Sequence, residues 1–524
     1  MIQMAEKTDQ KRLISPYHHD IQFSHPREVI VMGEETSVEL EVARETWVTR
    51  MGFVFAVWGS MTGLGNVWNW PFKVSVLGGG PFVLIYLIML LLVGIPVVLT
   101  EFVLGSTFRR GFPGALKRIH PLGEFLGWFC LVNTAILTAF YTVLIGYAAV
   151  YAGYAITGLP LDGVMGPSTF TDQPGFFVNM LMSPIVLVGL IVVWLVVFII
   201  DYFGTRGIER SVMILFPLMW IIIIFMAFWG LAQPNAYQGL DFYLNPDVEQ
   251  FLNPNMWSTA VSLSFFKLSA GMGALTAYAS YLPRRGELTN SAVTTSLLDT
   301  TFAFTAGMAV FTIAATAGFL GGGGVGFAFV AWPGGMVIPG GNILGFVFFL
   351  MMVFLGVTSA ISLVEAIVTA VMDKFGWPRS KAVIVITLIL FLGGVPFTLW
   401  MELPDPMGAG DVVWGLYLLD IFDYYVENFG LVLVTLFMMI IMAWVWGGAK
   451  ILDAANEAGD FKLPSWYKWV VKVISPVGII IALAFIIING FYAVGSIMEF
   501  TAPLIWIAIC IVFAAILWRM KGVD

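Results

Sequence analysis

The chain has 524 residues, 59% of them hydrophobic and 11% charged, with 19 tryptophans and a net charge of −8; its mean hydropathy is +0.90. That balance excludes a water-soluble globule, and nothing in it points to nucleic acid. The two cysteines, Cys130 and Cys510, both lie in apolar runs, so no disulfide framework is expected.

Residues 1–46 are polar and acid-rich ("MGEETSVELEVARE") without an apolar core, which predicts a cytoplasmic tail and not a signal peptide. The rest, 47–524, is read as one transmembrane domain. Twelve apolar runs of about 20 residues or more follow, over 47–71, 81–108, 123–157, 183–201, 208–231, 255–282, 290–318, 343–372, 382–400, 413–446, 467–494 and 502–518. The expected fold class is all-α: a polytopic membrane protein of about 12 transmembrane helices. Basic residues follow the even-numbered spans, as with Arg109 and Arg110 after span 2 and Arg284 and Arg285 after span 6. By the positive-inside rule both termini are cytoplasmic, and the plasma membrane is the expected location.

Of the 25 basic residues only Lys73 and Lys267 lie away from that side. Lys267 is about twelve residues from either end of span 6, about 18 Å at about 1.5 Å per residue. A four-carbon stem does not cover that distance. Facing lipid, the ammonium would cost about 2.5–3.5 kcal/mol or more, so it needs an internal partner or a wet cavity. A structural ion pair and a place in a binding site both satisfy that need.

Spans 1 and 6 carry glycine clusters at similar depth, Gly59, Gly63 and Gly65 in "WGSMTGLGNVWNWP" and Gly271 and Gly273 in "KLSAGMGA". The two spans are five apart, the relation expected of inverted repeats of spans 1–5 and 6–10 whose first helices are discontinuous. A break at mid-membrane frees amides and carbonyls that lipid cannot satisfy, so it must line a cavity.

"GLGNVWNWP", the following "GGGPFVLIYLIMLLLVGIPVVLTEFVLG", "YASY" at 278–281 and "GVTSAIS" at 356–362 resemble the neurotransmitter:sodium symporter family, sodium-coupled amino acid and amine transporters with the LeuT fold. The resemblance spans about residues 44–475. It implies a sodium site on the carbonyls of Gly59, Thr62 and Leu355 and the hydroxyls of Thr358 and Ser359. Five neutral oxygens suit a hard monovalent cation. It also implies a substrate pocket in which Tyr141 and the amides of Leu64 and Gly65 hold a carboxylate. Phe266 would cap this pocket, with Ser60, Met61, Leu137, Ser269, Met272, Ser359 and Leu363 lining it beside Lys267. Monoamine carriers of the family place an aspartate where Gly63 stands, so a solute with its own carboxylate is expected.

Two departures concern the family's other sodium site. Its asparagine is present as Asn66, but its threonine and second asparagine positions carry Lys267 and Asp299. A lysine ammonium can replace a bound monovalent cation, and an aspartate supplies the countercharge. One sodium site is therefore expected. Chloride is not expected, because beside Tyr86 the family's polar anion ligands are replaced by Leu263 and Ala303, with Asp299 as a fixed negative charge. The resemblance also implies an inner gate of Arg44 and Asp373 with Trp47, and an outer acid, Asp423, whose usual arginine is Asn69 here; Lys73, one turn further out, could take over. The expected function is import of a small zwitterionic, amino-acid-like solute by alternating access, with no obligatory protein partner. Two other readings stay open: a proton-coupled or sodium-independent carrier titrating Lys267 or Asp299, and a non-transporting nutrient sensor. No nucleophile, base and oxyanion set converges in the spans, so an enzyme is not expected.

Overall fold

The computed structural model describes residues 45–157, 173–245, 248–283, 286–318, 320, 327–335, 341–404, 411–457, 461–493 and 497–523. Residues 1–44 of the expected tail, Arg44 included, lie outside them. The face that carries the basic loops is termed inner, and the opposite face outer.

Among the described residues ten helices are long and apolar enough to cross a membrane: Gly80–Phe108, Pro121–Ile156, Ile185–Tyr202, Gly204–Leu231, Leu288–Thr316, Asn342–Phe375, Arg379–Thr398, Trp414–Asn456, Tyr467–Ile488 and Thr501–Arg519. They match predicted spans 2–5 and 7–12. Spans 1 and 6 are absent from this set because each is cut into half-helices too short to cross alone.

The inner half of span 1, Arg50–Met61, starts at Thr49, whose side chain accepts from the Gly52 amide at 2.8 Å. It stops at Thr62, and after a short turn at Leu64–Asn66 the outer half runs over Asn69–Val76. Pro71 sits in the first turn of that half, where the N–H it lacks has no intrahelical acceptor. Span 6 mirrors this. Its outer half, Pro254–Lys267, is capped by Asn253, and its inner half is Ala274–Ser280.

The two breaks are made differently. In span 6 the chain turns through left-handed positions at Ser269, Gly271 and Gly273, with φ of 51°, 72° and 77°. Such angles suit glycine, which has no Cβ to clash. In span 1 Gly63 keeps an extended φ of −114°. Its missing side chain provides room instead: a Cβ there would lie 2.3 Å from Ser359 Oγ and 2.5 Å from the Tyr141 hydroxyl.

Span 3, Pro121–Thr157, packs along spans 8 and 4 and against span 12, where Trp506 Nε1 donates to Asn133 Oδ1 at 3.0 Å. Span 10 contains two π-helical stretches, Val426–Leu431 and Ile441–Gly447. One feature departs from the all-α expectation: Glu402–Pro404 pairs antiparallel with Asp411–Val413 in a two-stranded hairpin on the outer side. Proline, glycine and acidic residues interrupt the apolar pattern there, so no membrane helix competes.

Candidate functional site

The broken segments of spans 1 and 6 meet spans 3 and 8. Every residue expected to line the pocket is buried. The Leu64 amide donates to the Tyr141 hydroxyl oxygen at 2.9 Å, which leaves the tyrosine's own proton free to donate to an incoming carboxylate. The Ser60 carbonyl, freed near the break, accepts from Ser269 Oγ at 2.8 Å and Ser359 Oγ at 3.0 Å, and the Ser60 and Ser362 hydroxyls are 2.7 Å apart. Gly65 lies against the Phe266 ring, where an added Cβ would come within 3.0 Å. Leu137 stands one turn before Tyr141 and Leu363 one turn after Ser359, on the same faces. Met61 and Met272 flank the two breaks. Span 3 also serves the freed carbonyls of span 6: Thr134 Oγ1 donates to Met272 O at 3.0 Å and Cys130 Sγ to Gly271 O at 3.2 Å.

The oxygens expected to bind sodium lie across the seam of spans 1 and 8. Thr358 Oγ1 donates to Leu355 O at 3.0 Å, and Ser359 Oγ approaches Gly59 O at 3.4 Å. The Gly59 position, with an added Cβ 3.4 Å from Thr358 Cβ, keeps the two helices in contact. Thr62 closes the inner half-helix. Neutral carbonyl and hydroxyl oxygens are the donor set that a sodium ion takes, so the residue types present fit such an ion.

Lys267 and Asp299 form a buried ion pair, Nζ to Oδ2 3.5 Å, with both side chains wholly inaccessible to solvent. Asp299 Oδ1 accepts from Asn66 Nδ2 at 2.6 Å and Thr62 Oγ1 at 3.1 Å. The ammonium also lies 4.6 Å from the ring centroids of both Trp70 and Tyr86, an aromatic half-cage worth about 2 kcal/mol or more when desolvated. Leu263 and Ala303, the positions discussed for chloride, are fully buried and apolar.

On the inner side Trp47 Nε1 donates to Tyr278 O at 2.9 Å, and its amide to Tyr281 O at 3.3 Å. Asp373 Oδ2 accepts from the Gly111 amide at 2.6 Å, and its carbonyl from Arg110 at 3.4 Å. On the outer side Asn69 meets a different acid. Asn69 Nδ2 donates to Glu427 Oε2 at 3.0 Å, not to Asp423, whose Oδ1 is buried without a hydrogen-bond partner. The reason is reach: an asparagine is shorter than the arginine it replaces and meets the acid one turn deeper. Lys73 rests against the neighbouring Phe72 ring, 5.5 Å from its centroid.

Sequence reasoning missed several participants. Glu101 on span 2 is fully buried and holds the span 6 break, accepting from the Gly271 amide at 2.6 Å and Thr276 Oγ1 at 3.2 Å. Glu365 on span 8 joins the Tyr281 hydroxyl at 2.5 Å and Arg379 Nη1 at 3.0 Å, extending the inner closure around Trp47. With Glu427 and the rings of Trp70 and Tyr86 these complete the site. The signal for the three glutamates was present: a carboxylate inside an apolar run raises the same question of partners as Lys267 does.

The sequence model of the "Sodium:neurotransmitter symporter family" matches residues 44–164 and 179–520. An uncharacterized sodium-dependent transporter of Methanocaldococcus jannaschii is 34% identical over 92% of this chain and 99% of its own length. The sodium- and chloride-dependent GABA transporter 2 of Mus musculus is 26% identical over 82% of this chain and 77% of its own. Among solved structures, MhsT in complex with L-phenylalanine aligns with a TM-score of 0.74 and 31% identity, covering 84% of this chain and 99% of that one.

Proposed function

Because the chain belongs to the sodium:neurotransmitter symporter family, whose members are sodium-coupled transporters and not enzymes, we propose that it imports an amino-acid-like solute driven by one sodium ion, with Lys267 in place of the second. The observation that carries this reading is the buried pair of Lys267 and Asp299, with Asn66 and Thr62 on the same carboxylate. Where the family would bind an ion from solution, an ammonium on the chain lies within 3.5 Å of a carboxylate.

Each residue then has a task. The Tyr141 hydroxyl and the Leu64 and Gly65 amides hold the substrate carboxylate at the start of the outer part of span 1, where the helix dipole favours negative charge. Lys267 adds its positive charge nearby. Gly59, Thr62, Leu355, Thr358 and Ser359 take the co-transported sodium and tie span 1 to span 8. Apolar Met61, Leu137, Met272 and Leu363 accept the substrate's carbon chain, which agrees with an amino acid being the bound molecule in MhsT. Trp47 and Asp373 close the inner path. Leu263 and Ala303 leave no polar ligand for chloride, and Asp299 supplies a fixed negative charge instead. The carrier sits in the cell membrane with both termini in the cytoplasm, the 1–46 tail preceding the 47–524 transporter domain.

The test is the sodium dependence of substrate binding to purified protein. A hyperbolic curve of unit Hill coefficient is expected; a cooperative two-sodium curve would overturn the assignment of Lys267.

A further inference from the structure

One buried acid at the outer lip of the pocket has no task in the reading above. Glu427 is 1% exposed and lies in the π-helical stretch Val426–Leu431, a local widening that places a side chain off the regular helical face. Asn69 fixes its Oε2, while Oε1 is buried with no hydrogen-bond partner. Among the described residues no basic nitrogen comes within 4.0 Å of Glu427 or Asp423. The other buried glutamates are engaged: Glu101 by the span 6 backbone, Glu124 by Lys374, Glu209 by Thr49 and the Val48 amide, and Glu365 by Arg379.

Two independent connections fix its height. Asn69 stands four residues beyond Gly65, and Ser262, four residues outward of Phe266 on span 6, donates to Asn428 Oδ1 at 3.1 Å beside Glu427. Each is about one helical turn, about 6 Å, above the pocket. The charges there do not cancel. Lys267 is committed to Asp299, and Lys73, the single other lysine on this side, lies against the Phe72 ring. Asp420 is exposed at the surface. Glu427 is left as a buried carboxylate without a cation beside it, a state that costs several kcal/mol when ionised.

We propose that Glu427 is the substrate's second anchor: its carboxylate takes the terminal ammonium of a basic amino acid whose α-carboxylate rests on Tyr141 and the Leu64 amide. This deepens the transport reading and rests on it. A lysine-like stem of four carbons spans about one helical turn and lies along the apolar wall of Leu137 and Leu363. Asn69 orients the carboxylate, and the free Oε1 receives the ammonium as a charge-assisted hydrogen bond.

The experiment compares L-lysine with L-norleucine, which has a similar stem but no terminal charge, by equilibrium binding to the full-length purified carrier in saturating sodium. Lysine is expected to bind at least tenfold more tightly. In Glu427→Gln, which keeps an acceptor for Asn69 and removes the charge, that preference should fall by tenfold or more. Norleucine binding as well as lysine in the wild type, or an unchanged preference in Glu427→Gln, overturns the anchor while leaving the transport reading intact. If neither amino acid binds, the amino acid reading of the pocket fails and the anchor with it. Should the variant not fold, the wild-type preference alone decides.

Discussion

At the scale of single residues, Lys267 and Asp299 are the pair on which the rest depends. Removing one member of a buried ion pair leaves an uncompensated charge and costs about 3–5 kcal/mol. Lys267→Ala should therefore lower substrate affinity by more than a hundredfold, read as equilibrium binding at fixed sodium. The double variant Lys267→Thr with Asp299→Asn removes both charges and restores an oxygen-lined cavity. It is expected to recover binding beyond either single variant and to gain a steeper sodium dependence; a hyperbolic curve at full affinity would count against the tethered cation. The remaining ion is tested at Thr358 and Ser359. Replacing both by alanine removes two of five ligands, so sodium-stimulated uptake in proteoliposomes should vanish while the protein keeps its melting behaviour. Sodium stimulation that persists would exclude this site.

At the scale of elements, the break in span 6 is held by a side chain from span 2. Glu101→Ala would leave the Gly271 amide without an acceptor inside the membrane, a loss of about 1–3 kcal/mol. A lower melting temperature and weaker substrate binding together are the expected outcome, measured on detergent-purified protein; an unchanged melting temperature would show that the break holds without Glu101. Both breaks were legible in the sequence, because glycine clusters at matched depth, one of them beside a lysine, mark backbone that a bilayer tolerates only around a cavity. Their mechanisms were not. Gly271 answers a positive φ, whereas Gly63 makes space for Tyr141 and Ser359, and only the positions of spans 3 and 8 distinguish the two. Glu101, Glu365 and Glu427 announced by their placement that they had partners. Which partners could not be read, since a backbone amide freed by a break in a distant span leaves no mark near the glutamate. The half-cage of Trp70 and Tyr86 was hidden for a different reason: in a chain with 44 phenylalanines and 19 tryptophans, two more rings carry no signal. Most span limits were legible to within a few residues, whereas span 10 runs to Asn456 instead of 446, and π-helical stretches insert into an apolar run without changing its hydropathy.

At the scale of the whole molecule the contacts on the inner and outer sides are unequal. The inner side joins Trp47, Tyr281, Glu365, Arg379 and Asp373 to their neighbours, whereas on the outer side Asn69 makes an amide-to-carboxylate hydrogen bond to Glu427, which was not among the expected gate residues. Asp373→Asn should weaken the inner closure and shift the population toward an inward-open form. Cysteines introduced along the inner path would then label faster with a membrane-impermeant thiol reagent applied from the inner side. Asp423→Asn is expected to change this rate less, and equal effects would mean that Asp423 has an outer partner of its own, for which Lys73→Gln is the control.

The ammonium of Lys267 is covalently attached, so it returns with the carrier and never crosses to the other compartment. Under a one-sodium cycle it therefore sets the largest concentration ratio the cell can build. Without a voltage, a tenfold sodium gradient supports about tenfold accumulation of a zwitterion, where two ions would support about a hundredfold, each factor of ten being about 1.4 kcal/mol. For a zwitterion each 100 mV of membrane potential adds about 2.3 kcal/mol once instead of twice, and a basic amino acid would add its own charge to either count. In such a cycle a lysine in that position gives a shallower solute gradient for half the sodium entering per molecule.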